Sequence, residues 1–355
     1  MLKFLDESAK NYDVGAFLNE LVDASKLLGA FDAKVIDSRF ASPLLPMLHR
    51  KEAVASMAIE GTQTTITDLL ENEIETHAEN NAFIEGRNHL NALIRCENIL
   101  LSDDFSNELI QNLHLWMMDG VLGRKKDVVL GKYKTRDNRI VNSARNVVYE
   151  PPAHTETKRY MDELIAYMNA PTDSAGALIR AAIAHAQFES IHPFEDGNGR
   201  VGRALVSLHL CREKVISHPY FYLSEAINRE KSVYYSKLDS SRTGNFTEWI
   251  AFFLRKVAFQ AQRNIEYVDA LTILRERTRE TVKSVVNSQK FDGIMKILFR
   301  YPVISSKAIC EQLGISNLQA NRYLSSLQKA GILHGNDKKR NRLYYFLDLL
   351  DLMQR

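Results

Sequence analysis

The chain has 355 residues, of which 45% are hydrophobic and 25% charged. This balance predicts a globular protein with a sizeable core and excludes a disordered chain. The formal net charge is only +2, so total charge singles out no class of partner. The length predicts two or three domains.

The compartment is predicted from the first residues and the cysteines. The opening, MLKFLDESAKNYDVG, has early acidic residues and lacks the apolar core of a signal peptide. No apolar run approaches the roughly 18–20 residues of a membrane span. Cys96, Cys211 and Cys310 are far apart, which argues against a disulfide framework or a zinc site. We therefore expect a cytoplasmic protein.

Most of the chain has the three- and four-residue apolar spacing that predicts helices. Strand signals are few: KYKTRDNRIVNS (132–143), with a turn predicted at Asp137–Asn138, and NRLYYFL near the end. The predicted fold class is therefore mainly α with a small β-hairpin. Three regions are predicted: a helical lead-in over 1–95, a helical core over 96–287 and a smaller module over 288–355.

The most informative stretch is IHPFEDGNGRVGR, residues 191–203. Pro193 disfavours helix at His192, so we expect one helix to end there. Gly197, Asn198 and Gly199 tolerate a left-handed backbone and can direct N–H groups at an anion, at the start of the next helix.

Two arginines strengthen the prediction of an anion site. Arg200 and Arg203 are expected in the first turn of the second helix, where cations oppose the helix dipole. A polyphosphate would supply the missing negative charge. Asp196 could hold a magnesium ion, which binds carboxylate and phosphate oxygens together. His192 is then the side chain able to accept a proton near neutral pH.

HPFEDGNGRVGR resembles, without a mismatch, the signature of the Fic family of adenylyltransferases, His-Pro-Phe-x-(Asp/Glu)-Gly-Asn-Gly-Arg-x-x-Arg. The resemblance extends over about Phe83 to Leu254. KYKTRDNRIVNS resembles the family's β-hairpin flap, which holds the target's backbone beside the nucleotide, and YEPPAH resembles the proline-rich segment that follows. The resemblance implies a Fic-type helical bundle.

The resemblance also implies a reaction. His192 would deprotonate a Ser, Thr or Tyr hydroxyl of a target protein, that oxygen would attack the α-phosphorus of ATP, and pyrophosphate would leave with Mg²⁺. The nucleotide would be held by residues of the signature: the Gly197–Gly199 turn, Asn198 and Arg200 at the phosphates, Arg203 at the γ-phosphate and Asp196 at Mg²⁺. Asn228 and Tyr235, in the helix after the signature, are candidates for contacting adenine.

A second short stretch, SMAIEG (56–61), predicts a switch. Glu60 is expected in the last turn of a helix with Gly61 as its C-cap, where an acid opposes the helix dipole. The stretch resembles the family's inhibitory motif, (Ser/Thr)-x-x-x-Glu-(Gly/Asn). The resemblance implies that Glu60 pairs with Arg203 and blocks seating of the γ-phosphate, with Ser56 holding the helix end.

The C-terminal tail differs in charge and pattern. From Phe291 to Arg355 it has five Lys and five Arg against four Asp and one Glu. It reads as helix, turn at Gly314 and helix with Ser316 as N-cap, then a basic turn, and so resembles a winged helix-turn-helix. Asn317, Gln319, Asn321 and Arg322 are of the types that read base edges, and Lys338, Lys339, Arg340 and Arg342 of the type that meets phosphates. Winged helices also dock proteins, so both partners stay open.

The predicted function is therefore an autoinhibited protein adenylyltransferase that uses ATP and Mg²⁺, modifies a hydroxyl-bearing target and also modifies itself. Three alternatives stay open: removal of AMP, transfer of another phosphate-containing group, and a DNA-binding regulator whose core only senses nucleotide. The intact His192 argues against a pure sensor, which needs no base. The pattern leaves the oligomeric state open, a homodimer included.

Overall fold

The structure, a computed structural model, describes residues 2–37, 41–59, 61, 64–75, 81–121, 128–141, 146–171, 174–286, 288–338 and 341–354. Among these residues, helices predominate and the β-structure is confined to two small sheets. The predicted mainly α fold class is confirmed. None of the described helices combines the length and apolar character needed to cross a bilayer.

The elements follow one another along the chain as predicted in type. The first helices are α1 (Leu5–Ser8), α2 (Leu18–Asp37), α3 (Ala41–Ile59), α4 (Ile66–Glu75), α5 (Asn81–Leu100) and α6 (Asn107–Met118). A hairpin of β1 (Ile140–Val141) and β2 (Val147–Tyr149) then precedes α7 (His154–Asn169), α8 (Ser174–Ile191), α9 (Asn198–Arg212), α10 (Ser224–Asn228), α11 (Lys231–Ser241) and α12 (Thr247–Val285). The tail comprises α13 (Phe291–Arg300), β3 (Val303–Ser305), α14 (Ser306–Leu313), α15 (Asn317–Lys329), β4 (His334–Gly335), β5 (Leu343–Tyr345) and α16 (Leu347–Gln354).

The chain forms two compact units. The first comprises Met1–Ala33 and Ile84–Gln262, and the second Lys34–Phe83 and Arg263–Arg355. The three regions predicted from sequence divide the chain differently, and their assignment as domains stays a prediction.

Helices α8 and α9 form the centre of the first unit. Both are buried around most of their circumference, as expected for helices inside a bundle rather than on its surface. They approach closely at Gly202, where an added Cβ would lie 2.3 Å from Oε1 of Glu189 and 3.0 Å from a ring carbon of Phe188. Any larger residue at this position would therefore require the Glu189 side chain, and to a lesser extent the Phe188 ring, to move.

Buried polar contacts hold further helices against this pair. The indole Nε1 of Trp249, on α12, donates to the carbonyl of Ala182 at 2.7 Å. His185, on α8, hydrogen-bonds through Nδ1 to the carbonyl of Gly202 at 3.1 Å and through Nε2 to the hydroxyl of Tyr234 at 3.0 Å. Burial lowers the pKa of His185 to about 4. This histidine is therefore a neutral part of the core and does not compete with His192 as a base.

The hairpin differs from its prediction in register. β1 and β2 are antiparallel, with Ile140 opposite Tyr149, so the second strand lies beyond the stretch 132–143. Asp137 and Asn138 precede β1 and do not form the hairpin turn. The Asp137 side chain instead accepts a hydrogen bond from the backbone N–H of His154 at 2.8 Å.

The tail within the second unit has the predicted helix–turn–helix. Gly314 ends α14 in the left-handed conformation, and the Ser316 side chain caps α15 by accepting from the N–H of Gln319. Strands β3, β5 and β4 form an antiparallel sheet in that order. The shared core of the two helices includes Ile309, Ala320, Leu324 and Leu327. The identification of this module as a winged helix stays a prediction.

Candidate active site

The loop between α8 and α9 carries the predicted site. α8 ends at Ile191, as Pro193 predicts. The left-handed residues of the loop are His192, at φ 49°, and Gly197, at φ 80°. Asn198 and Gly199, which also tolerate that conformation, instead lie in the first turn of α9. Arg200 also lies in that first turn, whereas Arg203 falls in the second.

Phe194 anchors the loop in the core. Its ring is fully buried and stacks on the imidazole of His114, with ring centroids 3.9 Å apart. Asn198 closes the loop behind it: Oδ1 accepts from the N–H of Phe194, and Nδ2 donates to the Phe194 carbonyl, each at 2.8 Å. The Asn198 amide is thus engaged in holding the loop, and the predicted phosphate contact by its side chain stays a prediction.

His114 is a second support that the sequence did not single out. Its Nδ1 accepts from the N–H of Gly131 at 3.0 Å, so its Nε2 carries the proton and donates to the carbonyl of Asp196, also at 3.0 Å. Burial lowers the pKa of His114 to about 4. The neutral His114 ring therefore supports the loop through its hydrogen bond to Asp196 and its stacking on Phe194.

His192 has the environment of a neutral base. Its Nδ1 is fully buried, and a hydrogen bond between the ring and the backbone of Glu189 raises its pKa slightly against the larger effect of burial. Burial lowers the pKa of His192 to about 4, and the nearby cations Lys134 and Arg242 act in the same direction. The imidazole is therefore uncharged at neutral pH and able to accept a proton.

The start of α9 provides the predicted positive region. Gly197 is its N-cap and offers no capping side chain, so the first N–H groups of the helix can receive an anion. Nη1 of Arg200 lies 3.1 Å from Oε1 of Glu85, and its Nη2 lies 3.7 Å from Oδ1 of Asp196. Arg203 is buried, with its guanidinium beside Gly199.

Two acidic residues near this region were not foreseen as participants. Glu85, on α5, forms the partly buried ion pair with Arg200, and no spacing in the sequence links the two residues. The side chain of Glu195 is only 15% exposed, and its Oε2 lies 3.4 Å from Nε of Arg136. Of these two described residues, only Glu85 contacts one of the predicted phosphate-binding residues, Arg200.

Asp196 fits a magnesium ion that arrives with a nucleotide. Its Oδ1 accepts from the N–H of Gly197 at 2.7 Å, and its side chain retains 26% exposure. The described residues contain no cluster of three or more His, Cys, Asp or Glu able to hold a metal alone. One carboxylate beside an anion site suits Mg²⁺, which commonly binds through one or two carboxylates and substrate phosphates.

The remaining predicted residues lie on neighbouring elements. Asn228 ends α10 and is exposed, whereas Tyr235 lies on α11 and is 46% exposed, so the two are on different helices rather than one. Tyr235 packs edge-on against Tyr234 with centroids 5.2 Å apart. Its outer ring face is suited to stacking on a base.

The predicted switch residues are only partly described. Ser56 is buried near the end of α3, and the N–H of Gly61, at φ 93°, bonds to the carbonyl of Ala58, which confirms Gly61 as the C-cap. Glu60 lies outside the described residues. α3 packs on α4 through Ala53, Met57 and Leu69.

Replacing Gly197 by Ala is expected to lower the free energy of unfolding by about 1–3 kcal/mol, because φ 80° strains any residue with a Cβ. The new Cβ would also lie 2.7 Å from Sδ of Met118. Denaturant unfolding measures the change. Gly29→Ala is the control, since Gly29 is helical with nothing within 4 Å of an added Cβ. Equal stability of the two variants would contradict the prediction.

Comparison with known proteins agrees with this geometry. A sequence model of the Fic/DOC family matches residues 104–210, and one of the Fic/DOC family N-terminal region matches 18–96. Together they match a little over half of the chain. The chain is also similar to "Protein adenylyltransferase fic-1" of Caenorhabditis briggsae and of Caenorhabditis elegans, at 27% identity over 184 residues in each case. This similarity spans 51% of the chain but only 33% of either relative.

Solved structures give the same fold. A Fic family protein from Desulfovibrio desulfuricans matches 95% of this chain and 97% of its own, with a TM-score of 0.62 at 19% identity. Fic-1 from C. elegans matches 70% of this chain and 72% of its own, with a TM-score of 0.51 at 19% identity. The predicted Fic-type helical fold is confirmed.

Proposed function

Since this chain belongs to the Fic/DOC family, we propose that it is a protein adenylyltransferase, which transfers AMP from ATP to a Ser, Thr or Tyr hydroxyl of a target protein. The observation that carries the proposal is a neutral His192 next to the uncapped start of α9. A base and an anion site on one loop are what phosphoryl-type transfer requires.

The reaction follows from these positions. His192 accepts the proton of the target hydroxyl as its oxygen bonds to the α-phosphorus. The bond from that phosphorus to the bridging oxygen breaks, and pyrophosphate leaves with the electron pair. The N–H groups at Gly197–Gly199, together with Arg200 and Arg203, hold the phosphate oxygens and stabilise the developing charge.

Magnesium bound at Asp196 would neutralise phosphate charge and polarise the phosphoryl oxygens. The remaining contacts to the nucleotide would come from residues of this chain. Glu85 is paired with Arg200, so a bound ATP would share this arginine with the Glu85 carboxylate. Adenine is assigned to the side of Asn228 and Tyr235, where an exposed aromatic ring is available for stacking.

The hairpin is the proposed docking strip for the target. Val141, Val147 and Val148 are each about half exposed, although valine favours burial. An extended peptide that pairs with a short strand would cover such residues and place its hydroxyl by backbone hydrogen bonds, independently of most side chains. The enzyme would then recognise the target mainly through its backbone and less through its side chains. Self-modification would occur when an exposed hydroxyl-bearing segment of the chain itself pairs with the hairpin.

Glu60 is proposed as the inhibitory residue, paired with Arg203 when the enzyme is at rest, and Ser56 as a support of the helix end. The buried position of Ser56 and the left-handed Gly61 are compatible with a sharply ended α3. A glutamate that releases and returns could also orient water to remove AMP, so removal is the alternative reaction of the same site.

The test is the intact mass of the full chain, and of candidate target proteins, after incubation with ATP and Mg²⁺. A gain of one or more AMP units supports the proposal. A gain matching a different phosphate-containing group from another nucleotide supports transfer of that group. Loss of AMP from a previously modified protein supports removal. Nucleotide binding without any covalent change, in the wild type and also in Glu60→Gly, would indicate a nucleotide sensor and overturn the proposal.

The tail suggests a second function, binding of duplex DNA. Asn317, Gln319, Asn321 and Arg322 are all exposed on α15, and the tail carries an excess of cations. Of the basic turn, Lys338 is exposed, Lys339 and Arg340 lie outside the described residues, and Arg342 packs over Tyr344. Retention on duplex DNA that weakens steeply with salt would support this function. Salt-insensitive capture of a protein instead would favour docking.

A further inference from the structure

Lys134 is a buried lysine beside the catalytic loop. It is only 4% exposed, in the segment before β1. Its backbone N–H donates to the carbonyl of Pro193 at 2.7 Å, and its Nζ donates to the carbonyl of Ile191 at 3.2 Å. Ile191 ends α8, so the ammonium lies at the negative end of a helix dipole. A buried lysine is rare enough to require a reason.

Asn138 completes the arrangement. Its Oδ1 accepts from Nζ of Lys134 at 2.9 Å, and its Nδ2 donates to the carbonyls of His192 and Phe194, each at 3.1 Å. The two side chains and one backbone N–H therefore contact the carbonyls of four consecutive residues, 191–194. This covers the whole turn from the end of α8 to the anchored phenylalanine.

His192 needs such support because of its backbone. At φ 49° it occupies the left-handed region, which is uncommon for a residue other than glycine and costs free energy unless the surroundings hold it. The direction of the imidazole depends on this backbone angle. A turn that relaxed to an ordinary conformation would aim the ring elsewhere and lose the alignment with the hydroxyl.

We propose that Lys134 and Asn138 are positioning residues for His192: together they hold its left-handed backbone, and Lys134 places a fixed positive charge beside its ring. This inference rests on the proposed function for its role in catalysis, but its physical content can be measured without any reaction.

The charges around His192 determine in which direction its pKa should move when Lys134 is replaced. Burial and the cations Lys134 and Arg242 lower its pKa, whereas a hydrogen bond to the Glu189 backbone and the charge of Asp196 raise it. Arg242 is paired with Asp239. Burial lowers the pKa of Lys134 itself to about 8, so it is mostly charged at neutral pH. Removing the Lys134 charge should therefore raise the pKa of His192, and raise the pH below which the base is lost.

The first measurement is an NMR titration of the His192 ring in the wild type, Lys134→Met, Asn138→Ala and Lys132→Met, with His192→Ala to assign the signal. Lys132 is exposed two residues away and is the matched control. We expect a higher His192 pKa in Lys134→Met and no change in Lys132→Met. Because Asn138→Ala keeps the charge, it should shift the pKa less than Lys134→Met.

The second measurement is kcat and KM for AMP transfer against pH. Lys134→Met should lower kcat at its plateau about 10- to 100-fold and move the acid limb to higher pH, with KM for ATP little changed. Asn138→Ala should lower kcat but leave the acid limb of the pH profile nearly unchanged. If Lys134→Met fails to fold, Asn138→Ala is the variant that tests the positioning role.

The outcomes separate the two proposals. A folded Lys134→Met protein with the wild-type His192 titration and kcat overturns the positioning role. If both the wild type and Glu60→Gly are inactive but the His192 pKa still rises on removal of Lys134, the proposed function alone is overturned and the arrangement of charge around the ring is supported.

Discussion

His192→Ala is expected to lower AMP transfer by about 10²- to 10⁴-fold, because it removes the only neutral imidazole found on the described part of the α8–α9 loop. Asp196, Arg200 and Arg203 remain, so nucleotide binding should persist with a similar Kd. Initial rates of label transfer from ATP measure the first effect, and calorimetric titration with ATP measures the second. A large fall in transfer rate with unchanged ATP binding is the result expected when a catalytic base is removed.

His218→Ala is the matched control for this experiment. His218 is also a histidine but lies after α9, largely exposed, with Nδ1 2.6 Å from Oε1 of Glu97. It should transfer at the wild-type rate. If His192→Ala, folded and binding ATP, kept the wild-type rate, His192 would not be the base and the hydroxyl would have to lose its proton elsewhere.

Glu60→Gly is expected to raise the rate of transfer by about 5- to 150-fold, the usual range of a regulatory coupling of 1–3 kcal/mol. The physical reason is the release of Arg203 from a competing carboxylate, which lets the γ-phosphate bind there. Initial rates of self-modification with ATP and Mg²⁺ measure the gain. A lower apparent KM for ATP should accompany it, since the change acts on phosphate binding.

The control for the switch is the double variant Glu60→Gly/His192→Ala, which should lose the gain if both residues act on one site. Thermal unfolding of Glu60→Gly shows whether a change in rate comes from a loss of folded protein. A folded Glu60→Gly protein with a rate equal to or below that of the wild type would refute inhibition by this residue.

The features of local structure that were predicted correctly have local causes. Pro193 stops α8, Ser316 caps α15 and Gly61 ends α3 because each effect acts within a few residues of the chain. The signature residues came together for the same reason, since they occupy one loop and the helix after it. Local stereochemistry could therefore be predicted without knowing the fold.

The errors and omissions have a different origin. Gly197 adopts the left-handed backbone that its sequence allows, but His192 adopts it too, which was not predicted. Pro193 excludes helix at His192, and the distant Asn138 contacts the carbonyl of His192. Lys134 is 57 residues from Ile191, whose carbonyl its Nζ contacts, and His114 is 82 residues from Asp196, whose carbonyl its Nε2 contacts. Such contacts depend on how helices pack, which no short spacing encodes.

The composition of the second unit affects how deletion variants should be designed. Within that unit, α3 contacts α13, and α4 contacts both β3 and α16. Leu44, Met47 and Leu69, on α3 and α4, are almost completely buried there. A protein truncated before α13 would leave apolar faces of these helices in water and disturb the segment that precedes Glu60. Any gain in activity after such truncation would report damage to α3, so the role of the tail is better tested by single substitutions on the exposed face of α15.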